Sequence, residues 1–279
     1  MSAISGATWV AWRNNRAQAA VAGLLAAATA ATLIVVALTA SPRTGMALHL
    51  TWIQVALAVA PAVAGVFFGA PLLAADFERG TCRLAWTQGV TRRRWAAAHL
   101  GLLMGLSLLA AAVIAVAAQI WIAHIPADSV PNTTWVLYDV QGPMVFATVL
   151  FGIALGAAAG AVLRRTVPAM GVTLALFIAL RVCFATLARP HLLPTATRLV
   201  SEFKDGGIPQ SAGFVETTFL DSRLRPLPPD SGFGPYTPFR IVYQPASHFW
   251  PMQVMEAGFF IILAALLVYA AYRFATRDG

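Results

Sequence analysis

Hydrophobic residues occur along this chain in long uninterrupted runs rather than in alternating stretches. A helix that crosses a bilayer needs about 20 apolar residues in succession. The runs that meet this length cover residues 17–40, 50–75, 96–123, 142–163, 167–188 and 257–275. Backbone groups in hydrocarbon must be satisfied within their own segment, so these runs are expected to be helices rather than open strands. The pattern predicts an all-α integral membrane protein with six transmembrane helices.

The composition favours lipid as the surroundings of the whole chain. Of the 279 residues, 59% are hydrophobic and 11% are charged, whereas soluble domains average about 25% charged residues. The formal net charge is +8, and the basic residues flank the apolar runs, which indicates a membrane partner rather than a nucleic acid. We therefore expect contact with membrane lipid, no nucleic-acid binding, and a single transmembrane domain over residues 1–279.

The basic residues of the short connecting segments predict the orientation of the chain. Apart from Arg43 in the first loop, they fall on one side of the six predicted spans, and they are Arg13, Arg16, Arg79, Arg83, Arg92, Arg93, Arg94, Arg164, Arg165, Arg273 and Arg277. Cytoplasmic loops carry an excess of Lys and Arg, so both termini are expected in the cytoplasm. The remaining segment, residues 189–255, is then a long external loop. Its many prolines favour turns and short helices over a packed domain.

The residues before the first run could form a separate element. Trp9 and Trp12 lie beside Arg13 and Arg16, and residues three apart share one surface of a helix. This pattern predicts an N-terminal amphipathic helix in the membrane interface, with rings toward lipid and guanidiniums toward phosphate. A plain basic flank to the first span is the alternative.

The segment 76–95, between the second and third spans, carries several helix boundary signals. Gly80 tolerates positive φ and can end the helix of span two. Thr81 could cap a short helix over residues 82–88, and Thr91 could cap span three. A short capped helix between two spans is well shaped to dock a soluble partner. An ordinary basic loop is the alternative.

The same segment resembles a known loop. The residues Glu78, Gly80-Thr81, Leu84, Trp86-Thr87-Gln88, Val90-Thr91-Arg92 and Arg94-Trp95 resemble the cytoplasmic loop of bacterial type-2 ABC transporter permeases. The six spans, the N-terminal helix and the long segment between spans five and six are similar as well. Many members of that family have Pro near the position of Gln88, so the chain resembles a variant branch.

This resemblance implies an architecture, partners and a function. Residues 81–88 would form a coupling helix on a cytoplasmic ABC ATPase subunit, docked through Glu78, Gly80, Thr81, Leu84, Trp86 and Arg92. The chain would be a permease in the bacterial plasma membrane that pairs with a second copy or a paralogue. It would export a hydrophobic or amphipathic substrate such as a drug, lipid or peptide-like molecule. A membrane immunity or sensor component of the same architecture is the alternative.

The chain is not expected to be an enzyme or to hold a cofactor. A Walker A loop needs a Gly-rich stretch followed by Lys, but the only lysine, Lys204, follows Phe203 in the long loop. ATP would therefore be bound by the partner subunit. An intramembrane enzyme needs paired titratable groups at depth, and the runs contain almost no acids. His99 and His124 stand about 37 Å apart by helix rise, too far to share a metal.

Two further features concern the interior of the bundle. Arg181 lies about 10 Å inside the external end of span five by helix rise. It either snorkels to the interface or joins a translocation path or an ion pair, with Glu256 and Asp139 as candidate partners. The glycines at four-residue spacing in span four allow close approach of a second helix; they are Gly152, Gly156 and Gly160.

Overall fold

A computed structural model describes residues 3–39, 46–82, 91–125, 133–200, 213–221, 223–228 and 237–277. Six helical segments among these are long and apolar enough to cross a membrane. Spans one to six, in chain order, are Ala19–Thr39, Thr51–Arg79, Arg92–Ala123, Pro143–Leu163, Thr166–His191 and Ala246–Thr276. The prediction of six helices that are long and apolar enough to cross a membrane is confirmed.

The individual helices extend beyond several of these spans. The α-helices are Ala3–Thr39, Met46–Ala64, Ala70–Arg79, Arg92–Ala123, Thr133–Val136, Pro143–Leu163, Thr166–Cys183 and Phe249–Thr276. Wider π-helical turns cover Gly65–Gly69 and Phe184–Ala188, and single 3-10 turns cover Tyr138–Val140, Arg189–His191 and Ala246–His248. The first helix is unbroken from Ala3, so the N-terminal stretch continues directly into span one. Arg13 and Arg16 on it are exposed, and its place in the membrane interface stays a prediction.

Four spans extend beyond the predicted apolar windows, among them span three, which begins at Arg92 instead of residue 96. Spans two and five were predicted to end at residues 75 and 188, but their helical segments continue to Arg79 and His191. The last helix begins at Phe249 instead of residue 257. Pro251 is compatible with this earlier start because a helix tolerates proline in its first turn. A hydropathy window detects the hydrocarbon-spanning part of a helix and misses its polar ends.

Span four forms the centre of the bundle. Of its apolar window 78% is buried, against 11% for span five. The ring of Phe151 lies 5.5 Å from that of Phe177 and 5.0 Å from that of Phe260. This aromatic cluster joins spans four, five and six. Spans two, three, five and six pack against span four, whereas span one packs against span three. Large apolar side chains are exposed on the outer faces of the spans, as lipid surroundings allow.

The three spaced glycines of span four lie against the backbone of span two. A Cβ atom on Gly152 would overlap the carbonyl oxygen of Pro61, and one on Gly156 would overlap that of Gly65. A Cβ on Gly160 would overlap the carbonyl oxygen of Ala70. Because backbone atoms cannot move aside as a flexible side chain can, only glycine fits this close contact.

The segment between spans five and six contains a sheet, which corrects the all-α prediction. Strands β1 (Ala196–Val200), β2 (Gly213–Phe219) and β3 (Phe239–Gln244) form an antiparallel sheet in the order β1-β3-β2. The expectation of only turns and short helices here was wrong. These segments are rich in β-branched and aromatic residues, and β3 alternates buried Phe239 and Ile241 with exposed Arg240. Prolines between the strands masked this signal.

Candidate functional site

Charged side chains gather at the two ends of the bundle. We call the end that carries residues 76–82, 91–95, 164–166 and 273–277 the terminal face. We call the end that carries residues 137–142, 189–200 and 237–253 the loop face. Side-chain contacts between distant segments define each face, as the following paragraphs describe.

On the terminal face, two caps frame the segment between spans two and three. Gly80 adopts φ +70° in the left-handed region and ends the helix of span two, which confirms its predicted role. Thr91 precedes span three in extended conformation, and its hydroxyl oxygen accepts a hydrogen bond from the amide of Arg94 at 3.4 Å. The predicted cap at Thr91 is also confirmed. Both ends of the connecting segment are therefore held in defined directions.

Most of the predicted coupling helix lies outside the described residues. Leu84 and Trp86 fall in the stretch 83–90, of whose structure nothing is described, and the helix over 82–88 stays a prediction. The hydroxyl of Thr81 donates to the Oδ1 atom of Asp76 at 2.7 Å, so it points back to span two. The guanidinium of Arg92 donates to the carbonyl oxygen of Arg277 at 3.3 Å. This last contact joins span three to the end of span six.

Glu78 connects the terminal end of span two to the start of span five. Its Oε2 atom accepts hydrogen bonds from the backbone amide of Thr166 at 3.0 Å and from the Thr166 hydroxyl at 2.7 Å. Thr166 is the first residue of its helix, where unpaired amides and the positive helix dipole favour a carboxylate. Glu78, predicted to touch another subunit, thus makes an intramolecular contact as well. Nearby, the Arg164 guanidinium lies 5.2 Å from the ring centre of Phe77.

On the loop face, four charged side chains form one compact cluster. The Arg181 guanidinium donates to Glu256 Oε1 at 2.8 Å and to Asp139 Oδ1 at 2.9 Å. Arg189 donates to the two oxygens of Glu256 at 2.9 and 2.8 Å and to Asp139 Oδ1 at 2.6 Å. Glu256 is fully buried. The cluster joins spans five and six to the turn before span four, and its formal charges cancel.

Aromatic rings complete this cluster, which we call the loop-face cluster (Asp139, Arg181, Arg189 and Glu256). The Arg189 guanidinium lies 4.5 Å from the ring centre of Tyr138, and that of Arg181 lies 5.1 Å from the ring centre of Phe260. Cations over aromatic faces gain further attraction, which is larger where water is excluded. Arg181 is therefore held in an ion-pair network with both candidate partners that the sequence offered.

Sequence reasoning missed Arg189, although its position carries a signal. Arg189 follows Arg181 by eight residues, which in an α-helix places it about 80° around the axis. The π-helical turn Phe184–Ala188 between them takes more residues per revolution and brings the two positions closer to one face. Without knowledge of that turn, Arg189 appeared as a loop residue beyond the end of the span.

The charges of the cluster determine the protonation of the groups beside it. Burial alone would raise the pKa of Asp139, but the guanidiniums of Arg189 and Arg181 outweigh burial and hold that pKa below its usual value. Burial and the Glu256 carboxylate raise the pKa of Tyr138. Asp139 is thus ionised and Tyr138 protonated at neutral pH. The loop-face cluster is arranged for holding segments together.

Six membrane-length helices with polar contacts at both ends define the class of this chain as a multi-pass membrane protein. A family profile described as ABC-2 membrane transporter related matches residues 2–189, which is more than half of the chain. The chain therefore belongs to the ABC-2 membrane transporter related family and is the membrane component of an ABC-2 system. No curated protein and no solved structure gives a significant match. The resemblance to type-2 ABC permeases is confirmed.

Proposed function

We propose that the chain is the permease subunit of an ATP-driven exporter in the bacterial plasma membrane. A separate ABC ATPase subunit binds and hydrolyses ATP, and a second permease copy or a paralogue completes the membrane part. The substrate is hydrophobic or amphipathic and leaves the cytoplasm. The family match over residues 2–189 carries this proposal, because it assigns the chain to membrane components of ABC-2 systems.

The terminal face supports the proposal as the side that meets the ATPase. Its exposed Arg79 and Arg94 and the neighbouring Arg164 and Arg165 match the excess of basic residues in cytoplasmic loops. The caps at Gly80 and Thr91 hold both ends of the segment 83–90. A partner bound to this segment would push on spans two and three directly. This arrangement fits a coupling helix seated on an ATPase.

Glu78 extends this coupling to a third span. Because its carboxylate caps the helix that begins at Thr166, a displacement of the end of span two also pulls the start of span five. We infer that Glu78 acts beside the docking residues as a positioning residue. It passes motion from the coupling segment to span five instead of contacting the partner alone.

Purification of the tagged chain in mild detergent tests the proposal. We expect an ABC-type ATPase to co-purify and to hydrolyse ATP faster with the permease than alone. Trp86→Ala should weaken binding of the ATPase about thirtyfold or more and lower its co-purified yield, since a Trp anchor at an interface commonly contributes about 2 kcal/mol or more. Trp52→Ala is the matched control, because Trp52 is 71% exposed on span two, away from the coupling segment.

Two results would contradict the proposal. The absence of any ABC ATPase from the wild-type preparation would favour an immunity or sensor component over a transporter. Retention of the full ATPase yield in both Trp86→Ala and Glu78→Ala would place the docking surface elsewhere.

Transport is then measured in vesicles that contain both subunits, with an amphipathic fluorescent substrate and ATP added on the terminal side.

A further inference from the structure

The segment 83–90 leaves the bundle through two span ends that contact each other just inside its caps. Asp76 lies four residues before Gly80, and His99 lies eight residues after Thr91, so they stand about one and about two helical turns inward. The Oδ2 atom of Asp76 is 3.5 Å from the Nε2 atom of His99. This pair links span two to span three at the base of the segment.

The two oxygens of the Asp76 carboxylate face different elements. The Oδ1 atom accepts a hydrogen bond from the hydroxyl of Thr81 at 2.7 Å, while the Oδ2 atom faces His99 on span three. Thr81 comes directly after Gly80, the residue that ends the helix of span two. One carboxylate therefore connects the entry of the segment 83–90 to span three.

The ring of His99 is held on its other side as well. The side chain is 1% exposed, and its Nδ1 atom lies 2.9 Å from the carbonyl oxygen of Trp95. Because a carbonyl and a carboxylate both accept, a ring that carries a proton on each nitrogen suits both contacts. In that state the contact with Asp76 is an ion pair within the chain, and the ring has a single orientation.

An aromatic layer lies beside the polar pair. The ring centre of Phe77 on span two is 5.8 Å from that of Trp95 on span three, in an edge-to-face contact. The ring centre of Trp95 is 4.8 Å from that of His99, and Trp95 is 3% exposed. Aromatic pairs in such arrangements attract each other beyond the area that they bury. We call Asp76, Phe77, Trp95 and His99 the base clamp.

Stability alone does not explain a charged pair in the base clamp. Moving two charges away from water costs about as much as their attraction returns, and an apolar pair of similar volume is often equally stable or more stable. A charged, hydrogen-bonded pair adds geometric specificity. Leucine side chains can slide past each other, whereas the Asp76 carboxylate has a defined partner on each oxygen.

We propose that Asp76 and His99 are positioning residues for ATP coupling, because they make the ends of spans two and three move as one unit. Without their link, the two ends separate when a partner acts on the segment 83–90, and part of the displacement is lost. With the link, the displacement reaches both spans, and through Glu78 it also reaches span five. The role in coupling rests on the proposed function, but the link itself needs neither ATP nor the ATPase subunit.

Replacing both partners by leucine separates positioning from stability. Asp76→Leu and His99→Leu alone each leave the other polar group without its partner, and each should lower the free energy of unfolding. The double variant Asp76→Leu/His99→Leu should regain most of that stability. Its maximal stimulation of ATP hydrolysis should nevertheless be about three- to tenfold lower than that of the wild type, the usual size for residues that carry coupling. The ATPase concentration for half-maximal stimulation should not change, because the docking residues are intact.

Distances between spin labels test the link in the permease alone. In a background with Cys82→Ala and Cys183→Ala, labels at Arg79→Cys and Arg94→Cys report on the two span ends, since both arginines are exposed. We expect one narrow distance distribution with the intact base clamp and a wider one in the double leucine variant.

Two further variants complete the comparison. His124→Leu is the matched control, because its Nδ1 atom makes the same contact to a carbonyl, that of Ile120 at 2.8 Å, but it is exposed at the other end of span three. It should change neither the distances nor the stimulation. Asp76→Asn keeps the shape of the side chain and removes its charge. It should also widen the distribution, and it replaces the double variant if that chain does not elute as a single symmetric peak.

An equally narrow distribution in the double leucine variant and in Asp76→Asn would overturn the link. A wider distribution with full stimulation would overturn the role in coupling. Loss of stimulation in proportion to lost stability, with no loss in the double variant, would show a structural role only. If no ATPase partner exists, the proposed function fails, while the spin-label distances still decide whether the two span ends are linked.

Discussion

The two ends of the bundle are held together in different ways. At the loop face, four charged side chains share five charged hydrogen bonds around the fully buried Glu256. At the terminal face, a single exposed carboxylate, that of Glu78, caps the start of span five. Removing one partner from a buried charge network is strongly destabilising, whereas exposed charge contacts contribute little. The loop face should therefore move as one unit while the terminal face rearranges.

This difference between the two faces fits a transporter on which the ATPase partner acts from the terminal face. A partner that pulls on the segment between Gly80 and Thr91 meets the exposed Glu78 contact and the buried packing of Cys82 and Trp95 at the terminal face, but no charge network like the one around Glu256. Under the proposed function, we expect the loop-face cluster to serve as the fixed point about which spans five and six turn. Between the two ends, the glycine contact of spans two and four keeps those helices together.

The largest expected effect is at the loop face. Glu256→Gln keeps the shape of the side chain but leaves two guanidiniums with one carboxylate. It should lower the free energy of unfolding in detergent by about 3–5 kcal/mol, as for other broken buried pairs. Glu216→Gln is the matched control, since Glu216 is exposed on β2. Equal stability of the two variants would remove the contrast between the faces.

The glycine contact between the faces should show the next largest effect. Gly156→Ala places a methyl group against the backbone of Gly65 and Ala70, and overpacking of this kind costs about 1–3 kcal/mol. Gly105→Ala in span three is the control, because nothing lies within 4 Å of its added Cβ. Chemical unfolding of both variants in the same detergent compares them. If Gly156→Ala lowered the free energy of unfolding no more than Gly105→Ala does, that result would argue against the close contact of spans two and four.

At the terminal face, we expect larger effects on backbone hydrogen exchange and on the stimulation of ATP hydrolysis than on the free energy of unfolding. Glu78→Gln weakens the cap of span five, so hydrogen exchange at residues 166–169 should become faster. Stimulation of ATP hydrolysis by the permease should fall at the same time. Thr166→Val removes the hydroxyl donor of the contact but keeps the backbone amide, and it should act non-additively with Glu78→Gln, as directly interacting residues do. Additive effects in the double variant would show that the two residues act separately.

Mild acid should have the smallest effect. The depressed pKa of Asp139 means that the folded state binds its proton more weakly than the unfolded state, whose pKa is about 3.9. The resulting stability is fully present above that value and is lost as pH falls through the lower folded value. The contribution of Asp139, measured as the difference in thermal stability between wild type and Asp139→Asn, should stay constant from pH 7 to pH 5. A decrease of this difference over that range would contradict the ion pairs.

The six spans of this fold follow from the sequence, but the contacts that join distant segments do not. Apolar length predicts the six spans, and the local signals of Gly80 and Thr91 predict where two helices end and begin. The sheet was missed because β1, β2 and β3 pair across long proline-containing connections, which local composition does not reveal. Arg189 was missed because a π-helical turn changes the face on which it lies. Glu78 caps span five across 88 positions of sequence, and such a contact depends on how the helices pack.

The orientation of the two faces tests the central claim most directly, because an ATPase can dock only on the cytoplasmic side. In a background with Cys82→Ala and Cys183→Ala, single cysteines replace exposed Arg79 on the terminal face and exposed Arg198 on β1. We predict that a membrane-impermeant maleimide labels the Arg198→Cys chain in intact cells and the Arg79→Cys chain only after permeabilisation. Labelling of the Arg79→Cys chain in intact cells, with protection of the Arg198→Cys chain, would contradict the account.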